Sequence, residues 1–429
     1  MAPPLFLSSH FKFRFLPLAC LALLSCPVHA DNLAFDPDGS TPATQKTGNW
    51  NDPAQPNVWS DGTKFGPWSD EQTAIFEGGE DTVIHLYAPV VASGLIKTGH
   101  DEQFTVVSLS KQTLTLKEKA PVEVAANVLS LEGGEVAGGP FIKTGEGVLR
   151  FGDHESGDLV SNTVRGATLE AGELRLQKAP GTVALGGDIY VNGGKLTFHS
   201  GDQLESSTTL RVEGGEVGFG VADQSLGTLA VLDTSNINSY EPLTLHLLKT
   251  DGPALILGAV QLDANTGIHL AADSAQTVAF EPGKPGSSRI KGKMIFGGGS
   301  KTFIVGDGKE DTDLQILGDI SEAKGASLVK KGPGTLELHG ALNYTGDTAV
   351  QEGTLRLMSA AAQIRSTLRV SDSATLDLAF DGTLRVAQFI INERPQVNGT
   401  WGASDNRSVQ FKSSQITGLG VLHVGDPKK

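Results

Sequence analysis

The sequence predicts an all-β protein that folds as a right-handed parallel β-helix, a form of β-solenoid, with short capping segments. The pattern Gly-x-Leu-x-apolar recurs about every 20 residues. Within each copy, apolar and polar residues alternate as they do in a half-buried strand. Glycine makes up 53 of the 429 residues and clusters before these strands, where the chain must turn. Strands that recur at such an interval can stack on their own preceding copies.

Residues 1–30 have the composition of a secretory signal peptide. Lys12 and Arg14 precede a short apolar run, and Val-His-Ala at 28–30 resembles a cleavage site. The run is too short to span a bilayer. A lipoprotein site ending at Cys26 is the alternative. Cleavage after 28–30 would leave no cysteine in the mature chain, which would exclude thiol catalysis and disulfides.

Residues 31–75 are predicted to be an amino-terminal cap and lead-in. Trp50, Trp59 and Trp68 are spaced nine apart there. We expect them to plug the open first turn, because an end turn of a solenoid has no neighbour to cover its core. The alternative is that they stack on sugar rings. Trp401 is expected to play the same capping part at the other end.

Residues 76–425 are predicted to form the parallel β-helix, and 426–429 a short tail. The repeat is unclear between about 220 and 301, where Glu281–Lys293 reads as a loop because of its prolines and glycines. Elsewhere the pattern predicts which side chains stack on successive turns. The predicted columns are an inward one of Leu174, Leu196 and Val217, a second inward one of Leu176, Phe198 and Phe219, and an outward one of Arg175, Thr197 and Gly218.

One unit of the sequence carries a family resemblance. Residues 328–357 contain Lys331–Leu336 (KGPGTL), Tyr344–Thr348 (YTGDT) and Glu352–Leu357 (EGTLRL), in that order. This unit closely resembles the autotransporter-associated β-strand repeat. Phe141–Leu176 is similar to a second, degenerate copy.

The resemblance extends to both ends of the chain. Thr47–Trp59 and Pro67–Phe76 look like the lead-in of such proteins, and Val397–Asn406 with Ile416–Val424 looks like their closing segment. The resemblance implies an exported, passenger-type β-helix, often without an assigned activity. The residues that follow Val424 are too few for a translocator barrel, so self-translocation is not expected.

The charge balance argues against nucleic acid as a partner. The chain has 34 Lys and Arg against 49 Asp and Glu, and its net charge is −15. Lys330-Lys331 and Lys428-Lys429 are the pairs of adjacent lysines near the repeats and the tail, too small to form a basic stripe.

No catalytic, cofactor-binding or metal site is expected. The densest acidic stretch contains Asp307, Glu310, Asp311 and Asp313. Its oxygens could bind Ca²⁺ as the alternative, but it fits neither the EF-hand spacing nor the G-G-x-G-x-D nonapeptide. We interpret this stretch, and the similar one at 154–158, as solvated loops. The histidines expected to be single solvated or partly buried residues are His85, His100, His154, His199, His246, His269, His339 and His423.

These observations predict an exported, non-catalytic solenoid that serves as an extracellular or cell-surface structural or adhesive module. The periplasm is the alternative location, and lipid anchoring at Cys26 another. The alternative function is a carbohydrate-active enzyme, a polysaccharide lyase or hydrolase, because β-helices also carry that chemistry. No cofactor and no membrane-spanning segment after signal cleavage are expected. Glycans or other surface polymers are the expected partners of the outward side chains Arg150, Arg175, Glu337, Arg356 and Asp377.

Overall fold

The computed structural model describes residues 32–425 apart from 38–46, 78–80, 99–103, 154–156, 221, 233–235, 240, 259, 263–265, 273, 275, 282–285 and 363. The predicted signal peptide at 1–30, with Cys26, and the tail at 426–429 lie outside the described residues. Within the described ranges the chain forms strands and no helix, which confirms the predicted all-β class. Consequently no helix in this part of the chain has the length and apolarity needed to cross a membrane.

Two long sheets dominate the molecule, and the pairing between successive turns is parallel along both of them. This stacking confirms the β-solenoid. The 21 strands of the first sheet are Asn32–Phe35, Trp59–Ser60, Phe65–Gly66, Gln72–Phe76, Val90–Lys97, Thr113–Leu116, Ala120–Val124, Glu135–Gly138, Phe141–Thr144, Thr163–Leu169, Gly186–Val191, Thr209–Val212, Thr228–Val231, Pro253–Leu257, Gln276–Phe280, Gly299–Val305, Ala326–Lys331, Thr348–Val350, Thr367–Val370, Gln388–Ile391 and Arg394–Pro395. The 16 strands of the second sheet are Thr47–Asn49, Thr82–His85, Phe104–Ser108, Val128–Glu132, Val148–Phe151, Glu173–Leu176, Lys195–Phe198, Glu216–Phe219, Asn236–Ser239, Gln261–Leu262, Ser288–Ile290, Leu314–Ile316, Thr335–Leu338, Gly353–Leu357, Ala374–Leu378 and Ile416–Gly418.

Two smaller sheets complete the described fold. The third sheet adds another face to the middle turns, and the fourth lies at the carboxyl-terminal end. The strands of the third sheet are Gln224–Leu226, Leu243–Leu247, Thr266–Leu270, Met294–Phe296, Ile320–Glu322 and Leu342–Asn343. Those of the fourth are Thr383–Val386, Gly399–Gly402, Phe411–Lys412 and Val421–Val424.

The inward columns form as the sequence predicts. Leu174 pairs with Leu196, and Leu196 with Val217, in unbroken register. Phe198 lies on Phe219 with ring centroids 4.8 Å apart and nearly parallel planes. All of these side chains are buried. They belong to one continuous core with the inward side chains of the first sheet, and their copies on neighbouring turns cover them along the stack, so burial depends on continuous stacking.

The middle of the chain keeps the solenoid although its sequence repeat is weak. Between about 220 and 301 the strands of the second sheet shorten from the four residues of Asn236–Ser239 to two in Gln261–Leu262 and three in Ser288–Ile290. The expectation that Glu281–Lys293 is wholly a loop is wrong for its second half. Ser288–Ile290 is a strand that pairs with Gln261–Leu262 on one side and Leu314–Ile316 on the other, and Ile290 is buried. Three residues are too few to show an alternation in the sequence.

Aromatic clusters cover the core at both ends. Trp50 and Trp59 are fully buried, and their ring centroids are 4.9 Å apart. Trp68 packs on both at about 5 Å. At the other end, Trp401 is buried against Phe389 and Phe411. Because the rings of Trp50 and Trp59 are inaccessible, they offer no surface for a sugar, which supports the cap rather than the sugar-stacking alternative.

Candidate functional site

The outward side chains of the second sheet form an outer polar column, in which residues on successive turns lie directly above one another. Ser130, Arg150, Arg175 and Thr197 are in register in the amino-terminal half. Arg150 donates from Nε to Ser130 Oγ, 2.8 Å away, and from Nη2 to Glu132 Oε1, also 2.8 Å away. The Arg150 side chain is only 8% exposed. Its guanidinium therefore binds residues of its own sheet and has little surface exposed to a ligand.

Arg175 is bound in the same way, by a carboxylate on its own strand. Its Nε and Nη2 donate to the two oxygens of Glu173 at 3.0 and 2.9 Å, a bidentate pair. Thr197 donates to the same carboxylate from the next turn. Burial raises the pKa of Glu173, but the hydrogen bonds from Arg175 and Thr197 outweigh it, so this pKa lies below its ordinary value. The carboxylate is thus held ionised.

In the carboxyl-terminal half, Glu337 is the centre of the outer polar column. Its Oε1 accepts from Gln315 Nε2 at 3.1 Å and lies 2.6 Å from His339 Nε2. Its Oε2 accepts from Thr312 Oγ1 at 3.1 Å and from Arg356 Nη1 at 3.3 Å. The carboxylate is 7% exposed. Gln315, Thr312 and Arg356 donate to this carboxylate, which stabilises its negative charge.

Arg356 links this cluster to the following turn. Its Nε donates to Asp377 Oδ2 at 2.7 Å, and the two residues are in register on neighbouring strands. Its Nη1 also donates to Thr312 Oγ1 at 2.9 Å, and Thr312 lies just before the strand Leu314–Ile316, two turns earlier.

The residues predicted to contact a glycan therefore all lie on the outward face of the second sheet, and each already has a charged partner. They do not form a single row, because the register of the sheet aligns Glu337 with Glu173 rather than with Arg175.

Among the residues that the structure describes, five lysines are buried, which the sequence analysis did not predict. They are Lys97, Lys143, Lys178, Lys301 and Lys330. Lys143 Nζ donates to the main-chain oxygens of Thr144 and Gly145 at 2.8 Å, and to that of Ala171 on the next turn at 3.2 Å. The ammonium group thus satisfies corner carbonyls that no strand partner reaches.

Lys330 repeats this arrangement in the carboxyl-terminal half. Its Nζ donates to the main-chain oxygens of Lys331, Gly332 and Glu352 at 3.0, 2.7 and 3.0 Å. Burial lowers the pKa of both Lys143 and Lys330 to about 8. We call these two residues the corner lysines. Of the adjacent pair Lys330-Lys331, Lys330 points inward and Lys331 is exposed, so the pair does not present two charges side by side at the surface.

The two acidic stretches are only partly solvated. Asp307, Glu310 and Asp311 are exposed, as expected for a loop, but Asp313 is buried. It accepts hydrogen bonds from the main-chain nitrogens of Gly308 and Thr335 and so anchors the loop to the next turn. The prediction of a solvated loop is therefore wrong for Asp313, since a carboxylate with main-chain donors is stable when buried.

In the other acidic stretch, His154 lies outside the described residues and Asp158 is buried. Asp158 Oδ2 accepts from Lys178 Nζ at 2.7 Å, and both side chains are 1% exposed. Desolvation lowers the pKa of Lys178, and the hydrogen bond to Asp158 acts against it. The expectation of a solvated acidic loop is wrong for Asp158, because Lys178, 20 residues later in the sequence, forms a buried ion pair with it.

One pair of histidines meets across the third sheet. His246 and His269 are in register on neighbouring strands, and their Nδ1 atoms are 2.9 Å apart. Burial, and then the neighbouring His246, lower the pKa of His269. A spacing of 23 residues matches no metal or catalytic motif, so the sequence did not single them out. Among the residues that the structure describes, no three His, Cys, Asp or Glu side chains are placed to hold a metal ion.

The class of protein that these features define is a parallel β-solenoid whose turns are closed by inward lysines and glycine corners. Residues 328–357 match the family model of the passenger-associated-transport-repeat. This segment contains Lys330 and the strands that pair around it. The repeat and the stacked parallel strands together fit an autotransporter passenger-type β-helix. No curated protein and no solved structure matches the chain.

Proposed function

We propose that the protein is an exported, passenger-like β-solenoid that acts outside the cell as a structural or adhesive module without catalytic activity. The observation that carries the proposal is the passenger-associated-transport-repeat at 328–357. The name of that family describes passengers and their transport. The amino-terminal sequence at 1–30, with its basic residues, apolar run and small-residue site, supports the same route.

The outer polar column supports the non-catalytic part of the proposal. General acid–base or nucleophilic catalysis needs ionisable groups that converge on a substrate. Along the column, Arg150, Arg175 and Arg356 are each paired with a carboxylate, and Glu337 is surrounded by donors. The contacts of Arg356 and Glu337 link neighbouring turns and so stabilise the stack, and a spacer or scaffold needs such stability.

Cell fractionation tests the export step. The full-length chain, with a carboxyl-terminal tag, is produced in its source organism, and protease is added to intact cells. Mass spectrometry then gives the mature amino terminus. We expect a mature chain that begins at Asp31 and is degraded by the added protease. In the control Leu21→Arg, which breaks the apolar run of the leader, the chain should stay inside with residues 1–30 intact.

Two outcomes would overturn this route. Wild-type protein that keeps residues 1–30 in the cytosol would contradict export. A lipid-modified amino terminus at Cys26, lost in Cys26→Ser, would replace free export by lipid anchoring. Release of reducing ends or unsaturated products from a panel of acidic and neutral polysaccharides by the purified protein would contradict the non-catalytic assignment.

A further inference from the structure

A groove of about 340 Å³ lies on the outer face of the first sheet, away from the outer polar column. Its floor includes Ile142, Thr168 and Tyr190, which are in register on three successive turns. Lys119, Arg165 and Asp188 also line it. The volume is at the lower end of the range for small-molecule pockets, about 300–1,000 Å³, which suits one or two sugar rings.

The backbone around the groove is irregular in a way that shapes it. The register between Thr163–Leu169 and Gly186–Val191 shifts between Arg165 and Ala167, which is a β-bulge at Gly166. Gly166 has φ +117°, and a Cβ there would lie 2.6 Å from the main-chain oxygen of Asp188. Lys119 also has a positive φ of 60°. Bulges re-aim side chains and are common beside binding sites, and left-handed backbone at a non-glycine residue is costly.

The charged groups of this groove are free, in contrast to those of the outer polar column. Among the residues that the structure describes, the side chains of Lys119, Arg165 and Asp188 make no hydrogen bond or ion pair. Arg150, Arg175 and Arg356 are all paired. Tyr190 is 41% exposed, so part of its ring faces solvent.

We propose that this groove binds a carboxylated sugar unit, such as a uronic acid within a polysaccharide. The guanidinium of Arg165 receives the carboxylate as a two-pronged donor, and Lys119 adds a second cation. The ring of Tyr190 provides a flat apolar surface for the non-polar face of the sugar. Asp188 accepts from sugar hydroxyls, which an acidic peptide side chain does not supply. The ligand therefore needs an anion, several hydroxyl donors and an apolar face at once.

This inference rests on the proposed adhesive function for its biological setting, but its test does not. Binding is measured on the purified mature protein, whereas export is measured on intact cells. If the protein is exported normally but does not bind the sugar, only the proposed sugar-binding site is wrong. Failure of export with normal binding would overturn the proposed location alone.

Isothermal titration calorimetry tests the groove with three probes: a galacturonic acid trisaccharide, the neutral galactose trisaccharide, and triglutamate. We expect the galacturonic acid trisaccharide to bind and the other two probes to bind at least about tenfold more weakly. The galactose trisaccharide lacks the carboxylate and so loses a charge-assisted hydrogen bond, and triglutamate lacks the sugar hydroxyls. Affinity for the acidic trisaccharide should fall as salt is raised.

Matched variants locate the site. Arg165→Gln and Tyr190→Ser should each weaken binding of the acidic trisaccharide by about tenfold. The controls Arg385→Gln and Tyr87→Ser change an exposed arginine and an exposed tyrosine elsewhere and should bind as the wild type does. No binding, equal binding of the neutral sugar or of triglutamate, or equal losses in the control variants would each overturn the proposal.

Discussion

Lys330 joins two successive turns of the solenoid through Glu352: its Nζ donates to the main-chain oxygen of Glu352 at 3.0 Å, while two further hydrogen bonds hold its own corner. Lys143 makes the equivalent contacts with Ala171 and its own corner. Lys330, which lies within the matched segment 328–357, is therefore part of the turn geometry. Its stem lies in the core, and its charge satisfies carbonyls that would otherwise be buried without partners.

Substitution in an inward column should destabilise the whole stack. Leu336 is fully buried between Leu314 and Leu355. Leu336→Asp places an unpaired carboxylate there, and we expect it to lower the free energy of unfolding by several kcal/mol. Urea unfolding followed by circular dichroism measures the change. The control Asp311→Asn alters an exposed loop residue and should be neutral; a Ca²⁺-dependent stability that this control abolished would show that the loop is a metal site after all.

A substitution at Gly353, where the turns are closely packed, should cost more stability than the same substitution at Gly133, where the surroundings are open. Gly353 has φ +68°, and a Cβ there would lie 2.5 Å from the main-chain oxygens of Gly332 and Gly334. Gly133 has a similar φ of +72°, with nothing within 4 Å of its Cβ position. We expect Gly133→Ala to cost about 1 kcal/mol from backbone strain alone and Gly353→Ala to cost clearly more. Equal costs would mean that the turns are not packed as closely as described.

The outer polar column should lose its contribution in acid. Burial raises the pKa of Glu337, but hydrogen bonds from His339, Thr312 and Arg356 bring it below its ordinary value. A lowered folded-state pKa stabilises the fold above the unfolded-state pKa, and that stabilisation disappears as the pH falls through the folded-state value. Glu337→Gln should therefore be most destabilising near pH 7, and its difference from the wild type should shrink below about pH 4. The exposed control Glu310→Gln should show no such dependence, and a difference that grew in acid would contradict the assignment.

The corner lysines should also make the fold more stable as the pH rises, but in an alkaline window. Burial lowers the folded-state pKa of Lys143 and Lys330 to about 8, against an ordinary value of 10.5. Between these values the unfolded chain binds more protons than the folded one, so the free energy of unfolding should rise with pH across this window. Comparison of wild type with Lys330→Met by urea unfolding at pH 7 to 10.5 isolates the effect, with Lys331→Met as control. If the free energy of unfolding of the wild type, relative to Lys330→Met, fell as the pH rose from 7 to 10.5, the folded-state pKa would be raised rather than lowered.

Much of the fold was predictable because stacking repeats the same pattern on every turn. The columns through Leu196 and Phe198 follow directly from the alternation in the sequence. Ser288–Ile290 was missed because a three-residue strand beside glycine and proline carries too little pattern.

The candidate sites were less predictable, because they depend on contacts between turns. Lys143 and Lys330 look like polar residues that end a strand, yet each continues the inward alternation and bends its amine to a corner. The approach of Asp158 to Lys178 depends on how a loop folds back, which no local pattern records. The groove around Tyr190 arises from a bulge between two turns, so it becomes visible only when their register is known.

The central claim is that Lys330, within the matched segment 328–357, builds a corner of the stack of turns. Equilibrium urea unfolding of Lys330→Met beside Lys331→Met at pH 7 tests it most directly, because the two lysines are adjacent and differ in burial. Loss of the Lys330 amine leaves three main-chain oxygens without their donor. We predict that Lys330→Met lowers the free energy of unfolding by at least about 1–3 kcal/mol and that Lys331→Met changes it by less than about 0.5 kcal/mol. Equal effects, or a larger loss in Lys331→Met, would contradict the account.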